Sequence, residues 1–249
     1  MTKEVSKTQV DRLGDRLKRG NITEEDLRLL DQYRRSFAEA YETVVGIIRD
    51  KLKLEPTGRP AKSTTSIADK LKRESIRLTQ IQDIAGCRII VADIAEQESV
   101  VHSLTDLFPQ AAVIDRREKP SHGYRAVHVV VKHGGELIEI QVRTSLQHVW
   151  AEMSEKFSDV MDSSIKYGGG ETRVQKILQA ASEAIALEES EEKKIIDVLA
   201  SLPSNNRLAG DEQQDVDAAR ERLKQIRLMA YQAFREIIDD IPSLKEDLR

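Results

Sequence analysis

The sequence predicts an α+β protein: a mixed β-sheet flanked by helices, with helical extensions at its N- and C-terminal ends. Three observations carry this. Two runs of alternating apolar residues stand either side of the Gly134-Gly135 pair, which marks a hairpin. Long stretches before and after them repeat apolar residues at helical spacing instead. The composition, 33% charged and 39% hydrophobic with only 4% aromatic, suits a water-exposed, helix-rich chain. The predicted order of helix, strand, helix and three further strands is that of helices packed on a mixed sheet.

A length of 249 residues fits one domain with appendages, or two small ones. Residues 1–53 read as N-terminal helices packing on the core, 54–165 as the core, and 171–249 as a C-terminal helical region. Helices are expected over 5–19 and 23–53. Asn21 or Thr23 can cap the second, with Glu24, Glu25 and Asp26 suiting its positive end. Leu30, Phe37, Tyr41, Val44, Ile48 and Leu52 form its core stripe. Pro56, Gly58 and Pro60 break the chain before a helix over 64–73. Arg59 and Lys62 precede that helix N-terminus, where free N–H groups favour phosphate. Asp83 stands ahead of a buried strand over 87–92, a helix follows over 94–107, and a short strand over 111–114.

Residues 115–156 hold the densest chemistry. In the first run Val127, Val129 and Val131 share one face, and Tyr124, Ala126, His128 and Val130 the other. In the second, Ile138, Ile140 and Val142 oppose Glu139, Gln141 and Arg143. Each strand thus has an apolar back and a polar front, and a polar front on an antiparallel sheet is commonly wetted. Arg116, Arg117, Lys119 and Arg125 bracket a non-helical turn at Pro120. Four cations at the mouth of an acidic strand suit a polyphosphate held beside a carboxylate-bound metal.

Beyond the sheet, residues 146–161 read as a helix bearing His148, Trp150, Glu152 and Lys156. Residues 168–170, three glycines, read as a flexible joint. Two charged helices follow, over about 171–200 and 212–240, separated by 203–210. Their stripes are Val174, Ile177, Leu178, Ala181 and Ile185, then Val216, Leu223, Ile226, Ala230, Ala233 and Ile237. They exceed what two helices bury against each other, so a homo-oligomer formed through them is expected. The net charge of −4 argues against general nucleic-acid binding, and the lone Cys87 excludes an internal disulfide. No apolar run approaches the ~20 residues that span a bilayer, and the first 18 residues are too polar for a signal peptide. A cytoplasmic protein with no membrane partner is expected.

The segments D-I-A-G-C-R-I-I (83–90), R-E-K-P-S-H-G-Y-R-A-V-H (117–128) and E-I-Q-V-R-T (139–144), in that order, resemble the RelA/SpoT nucleotidyltransferases, the (p)ppGpp synthetases. G-R-P-A-K-S-T-T-S-I-A-D-K-L (58–71) is similar to their ATP-binding entry segment. The resemblance covers roughly residues 45 to 160 and implies a nucleotidyltransferase-like sheet. It implies a small synthetase that moves pyrophosphate from ATP to the 3′-hydroxyl of GDP or GTP and releases AMP. Asp83 and Glu139 would be catalytic and hold magnesium (Mg2+). Arg59, Lys62, Lys70, Arg116 and Arg117 would bind ATP. Lys119, His122, Tyr124, Arg125, His128, Gln141, Arg143 and His148 would bind the acceptor, with Tyr124 stacked on its base. The first histidine is His102, inside the synthetase region, so no hydrolase activity is expected. Family members usually read K-P-N-G-Y where residues 119–124 read K-P-S-H-G-Y, one residue longer and without the Asn. That departure leaves the acceptor open between a guanosine nucleotide and the 3′ end of tRNA, the acceptor of toxin-type relatives. A non-catalytic nucleotide-binding or oligomer-forming module is the reading from another class.

Overall fold

The computed structural model describes residues 5–201 and 210–247, so the expected break after Pro203 falls outside the described residues. Five strands form one mixed sheet: β1 (Thr57–Arg59), β2 (Ala85–Val91), β3 (Ala112–Asp115), β4 (Val127–His133) and β5 (Glu136–Thr144). Their spatial order is β1-β2-β5-β4-β3. Gly134 and Gly135, at φ 58° and 92°, supply the two left-handed residues of a tight β4–β5 hairpin. β1 is not foreseen from the sequence, because a three-residue strand set among prolines leaves no alternation to read. It pairs antiparallel with β2, Gly58 opposite Cys87, on the sheet edge where prolines beside a strand are tolerated. Seven helices accompany the sheet among the described residues, including α4 (Ile94–Leu107).

The chain resolves into two compact units. The first comprises residues 1–89, 102–114 and 128–141, the second residues 90–101, 115–127 and 142–249. In the first unit lie α1 (Lys7–Arg19), α2 (Glu24–Leu52), α3 (Thr64–Arg73) and a 3-10 turn over Leu78–Gln80. Ser6 and Thr23 cap α1 and α2 through reciprocal capping boxes with Gln9 and Asp26. Asp26 also accepts from Arg16 Nε and Nη2 at 2.9 and 2.6 Å, tying α1 to α2. The α2 stripe is buried at Leu30, Phe37, Tyr41, Val44 and Ile48, as its spacing predicts. α3 contributes Ile67 and Leu71 to that unit's core.

In the second unit α5 (Ser145–Val160), capped by Thr144, leaves β5 directly. α6 (Thr172–Ser201) and α7 (Gly210–Asp247) follow. The sequence makes residues 168–170 a joint that leaves these helices free of the sheet, and the structure corrects this. Gln175 Nε2 donates to the carbonyls of Ile165 and Gly169 at 2.8 and 2.6 Å, so the turn is fastened. Val174, Leu178, Ala181 and Ile185 of α6 and Phe234, Ile238 and Ile241 of α7 join Trp150, Met153 and Phe157 of α5 in one apolar cluster. The Trp150 indole donates to the Leu178 carbonyl at 2.8 Å. The α7 stripe is also displaced, since Ile226 is exposed while Phe234 and Ile241 are buried. Pro242 lies inside α7, which runs on past the expected end.

Candidate active site

Two charge systems gather the expected side chains, one in each unit. In the first, Asp83 occupies the turn before β2 and receives two lysines: Lys62, just ahead of α3, on one oxygen and Lys70 of α3 on the other, the latter at 2.9 Å. Lys62 is fixed by its own N–H, which donates to the Ile84 carbonyl at 2.6 Å. Burial pushes the Asp83 carboxyl up, but the two ammonium groups outweigh it and hold it below the ordinary aspartate value.

On β5, next to β2 in the sheet, Glu139 is 8% exposed. Its Oε1 lies 2.9 Å from His128 Nδ1, and its Oε2 accepts from Gln141 Nε2 at 2.7 Å. Burial raises this carboxyl, the His128 hydrogen bond and charge with Gln141 reverse the shift, and the Asp83 charge pushes it back in part. The net result lies below the usual glutamate range. An ionised carboxylate can only accept, so His128 donates from Nδ1. Gly86 lets β5 come close, because a Cβ there would lie 2.6 Å from the Glu139 carbonyl oxygen. Burial and then the Glu139 charge push the neighbouring Cys87 thiol up to about 12, which makes it inert. The polar front of the hairpin is therefore not wetted, since His128, Glu139 and Arg143 are all buried. Alternation finds the faces of a strand but not what covers them.

In the second unit the segment after β3 presents the arginines. Arg117 embraces Asp115 with Nε at 3.1 Å and Nη2 at 2.7 Å, and its Nη1 donates to Gln97 Oε1 at 3.2 Å. Arg125 sends Nε and Nη2 to Glu189 Oε2 of α6 at 3.0 and 2.5 Å. Arg116 is half-buried and Lys119 exposed. His122 and Gly123 both take positive φ, 53° and 87°, making a two-residue turn closed by paired Ser121–Tyr124 backbone hydrogen bonds. Histidine is among the residues that accept this conformation. Gly123 is obligatory, because a Cβ would meet Trp150 at 2.7 Å. Tyr124 accepts from Arg143 Nη2 at 3.0 Å, the same guanidinium lies 5.1 Å from its ring centroid, and Trp150 stands 6.5 Å away. His148 points along α5 to Glu152 at 3.7 Å.

The structure thus brings Lys62, Lys70 and Asp83 together, and His128, Glu139 and Gln141 together. It pairs Tyr124 with Arg143, and gives Arg117 and Arg125 to carboxylates. The backbone of Arg59 lies in β1, and its side chain falls outside the described residues. Sequence reading misses Gln97 and Gln147, whose only signal is a polar residue on an otherwise apolar helix face, and Glu189, whose acidic run over 188–192 reads as a solvated face. Among the described residues no cluster of three or more His, Cys, Asp or Glu side chains offers a metal cage. Magnesium at nucleotide sites uses one or two carboxylates and completes its shell with water and phosphate. Asp83 and Glu139, ionised, oxygen-bearing and close enough to feel each other's charge, fit that requirement.

Residues 58–159 match the family model described as "Region found in RelA / SpoT proteins". This stretch of the chain is similar to that region of the RelA and SpoT proteins. An uncharacterised protein of Mycobacterium tuberculosis is 37% identical over 134 residues, which make up 52% of this chain and 49% of that protein. The GTP pyrophosphokinase of Escherichia coli K12 is 30% identical over 139 residues, 51% of this chain and 18% of that enzyme. The chain spans about half the length, or less, of the curated relatives it matches. Among solved structures, small alarmone synthetase 1 from Bacillus subtilis superposes with a TM-score of 0.50 at 27% identity, covering 72% of this chain and all of that one. Glu189 and α6 lie beyond the matched region.

Proposed function

We propose that the protein is a (p)ppGpp synthetase, which transfers pyrophosphate from ATP to the 3′-hydroxyl of GDP or GTP and releases AMP. The observation that supports this best is Glu139, buried yet held ionised by His128 and Gln141 within a RelA/SpoT-type region. In the reaction the 3′-oxygen forms a bond to the β-phosphorus of ATP, the bond from that phosphorus to the α,β-bridging oxygen breaks, and AMP leaves. Glu139 orients the hydroxyl and receives its proton as the new bond forms. A carboxyl held below its usual range is a weak final base, so orientation is its larger contribution. Magnesium, held by Asp83 and Glu139, would neutralise charge on the transferred group. Lys62, Lys70 and Arg59 with Arg116 and Arg117 grip ATP. Tyr124 stacks on the acceptor base, and Lys119, His122, Arg125, His128, Gln141, Arg143 and His148 serve the acceptor.

Purified protein incubated with ATP and either GDP, GTP or tRNA tests this, with AMP release as the readout. AMP formed with a guanosine nucleotide supports the reading, and AMP formed only with tRNA transfers it to the toxin-type acceptor. Glu139→Gln should lower turnover at least ~10³-fold, because it removes the orienting charge and a magnesium ligand in addition to general-base assistance, itself commonly ~10²–10⁴-fold. Its fold should stand, since a glutamine amide can donate to His128 Nδ1 and still accept from Gln141. A variant that keeps a tenth of the activity removes Glu139 from the mechanism.

We also propose that α6 and α7 self-associate. Leu187, Val198, Leu228 and Met229 are 69%, 56%, 51% and 60% exposed after the inner stripes are buried. A monomeric mass at micromolar concentration overturns this.

A further inference from the structure

A buried polar chain runs through the second unit and ends on α6. Arg117 donates to Gln97 Oε1, and Gln97 Nε2 donates to Gln147 Oε1 at 2.8 Å and to the Val142 carbonyl at 2.8 Å. Gln147 Nε2 donates to Glu189 Oε1 at 2.6 Å, and the other oxygen of Glu189 takes Arg125. Gln97, Gln147 and Glu189 are exposed by only 0%, 1% and 5%. A carboxylate buried that deeply is costly unless fully paired, and here both oxygens are engaged. Glu189 also reaches Arg117 electrostatically, adding to the charges that hold that guanidinium protonated.

We propose that Glu189 is a positioning residue for phosphate recognition: it fixes the Arg125 guanidinium by one edge and, through Gln147 and Gln97, steadies Arg117. This rests on the reading above that these arginines act on nucleotide phosphate. An arginine side chain loses considerable rotamer freedom when it orders. A carboxylate that holds Nε and Nη2 in advance removes that cost from binding and leaves Nη1 for the ligand. A helix outside the matched region therefore sets how firmly the acceptor is held.

Calorimetric titration of GDP and of inorganic pyrophosphate into four proteins tests this: parent, Glu189→Gln, Arg125→Gln and the double variant. Glu189→Gln should weaken GDP by about ten-fold or more, the worth of one charge-assisted hydrogen bond. KM for GDP should rise while kcat stays within about three-fold. Because Glu189 acts through Arg125, the double variant should bind GDP no more weakly than Arg125→Gln alone. It also removes both buried charges at once, so it stays folded if the single variant does not. Unchanged GDP affinity in Glu189→Gln, or losses that add in full, overturns the proposal. A parent that binds GDP or pyrophosphate but releases no AMP sinks the synthetase reading and leaves this one decided by the cycle. A parent that binds neither ligand overturns both.

Discussion

The two charge systems solve the same problem with opposite materials. In the first unit, acids are the proposed functional groups and lysines, a histidine and a glutamine compensate them. All of these lie between Lys62 and Gln141, inside the matched stretch. In the second unit, arginines are the proposed functional groups and acids compensate them. The acid on Arg125 comes from a helix 64 residues further along the chain. Lysines on flexible stems can turn from Asp83 toward a ligand and back, because they and Asp83 keep 17% to 21% of their side-chain surface exposed. The Arg125–Glu189 pair, at 11% and 6%, has little water to turn to. The lysine clamp on Asp83 is exchangeable and the Arg125–Glu189 pair is fixed.

That contrast is broken most easily by removing one member of each pair. Arg125→Leu leaves the Glu189 charge buried and should destabilise the protein by ~3–5 kcal/mol. Asp83→Asn leaves two lysines that reach solvent and should cost only about 1 kcal/mol, yet lower turnover by ~10²-fold or more through lost charge positioning. Urea denaturation beside AMP release separates the two. If Asp83→Asn proves as destabilising as Arg125→Leu, the lysine clamp is structural scaffolding rather than an exchangeable site.

Next in size is Tyr124→Ala. Stacking of a base on an aromatic ring is worth ~1–3 kcal/mol, so acceptor affinity should fall by about 5- to 150-fold while ATP affinity holds. Tyr124 also anchors Arg143, whose guanidinium covers its ring. Tyr124→Phe keeps the ring and loses only the hydroxyl, and should therefore retain most of the affinity. An equal loss for ATP and acceptor assigns Tyr124 to the wrong nucleotide.

The sheet hairpin, the Thr23 cap, the α2 stripe and the candidate residues of the first unit were legible because each is written in local spacing or in a motif. Glu139 stands between two isoleucines, and that alternation puts it on the polar face, while its proposed role comes from the motif shared with the RelA/SpoT proteins. Less could be read where the decisive partner is distant. β1 is three residues long and exists because β2 offers an edge. The burial of the Glu139 front depends on tertiary covering, to which a period of two is blind. Glu189 sits in an acidic run that reads as a solvated helix face, and only folding shows that this one carboxylate turns inward to Arg125.

The smallest effect is in the pH dependence, and it separates Asp83 and Glu139 from two acids of α6 by sign. Asp83 and Glu139 are held below their ordinary values of 3.8 and 4.5. Their contribution to stability is complete above those values and is lost as the pH falls through the lower folded ones. On α6, Glu188 and Glu192 go the other way. Burial raises both above 4.5 although Arg227 pulls both down and the Ile94 N–H also lowers Glu192; Glu189 and Asp93 add repulsion at Glu188, and Asp93 and Glu188 at Glu192. A raised carboxyl stabilises the fold fully below 4.5 and loses that contribution as the pH rises through its folded value. Carboxyl carbon titrations by NMR should therefore place the midpoints of Asp83 and Glu139 below, and those of Glu188 and Glu192 above, the ordinary values. Denaturation followed from pH 7 down to about 2 should show Glu188→Gln flattening the fall in stability as the pH rises above 4.5, and Asp83→Asn flattening the fall on acidification below 3.8. If Glu188 instead titrates with Asp83, the Arg227 pair outweighs its burial and α6 carries the same kind of compensated acid as the first unit.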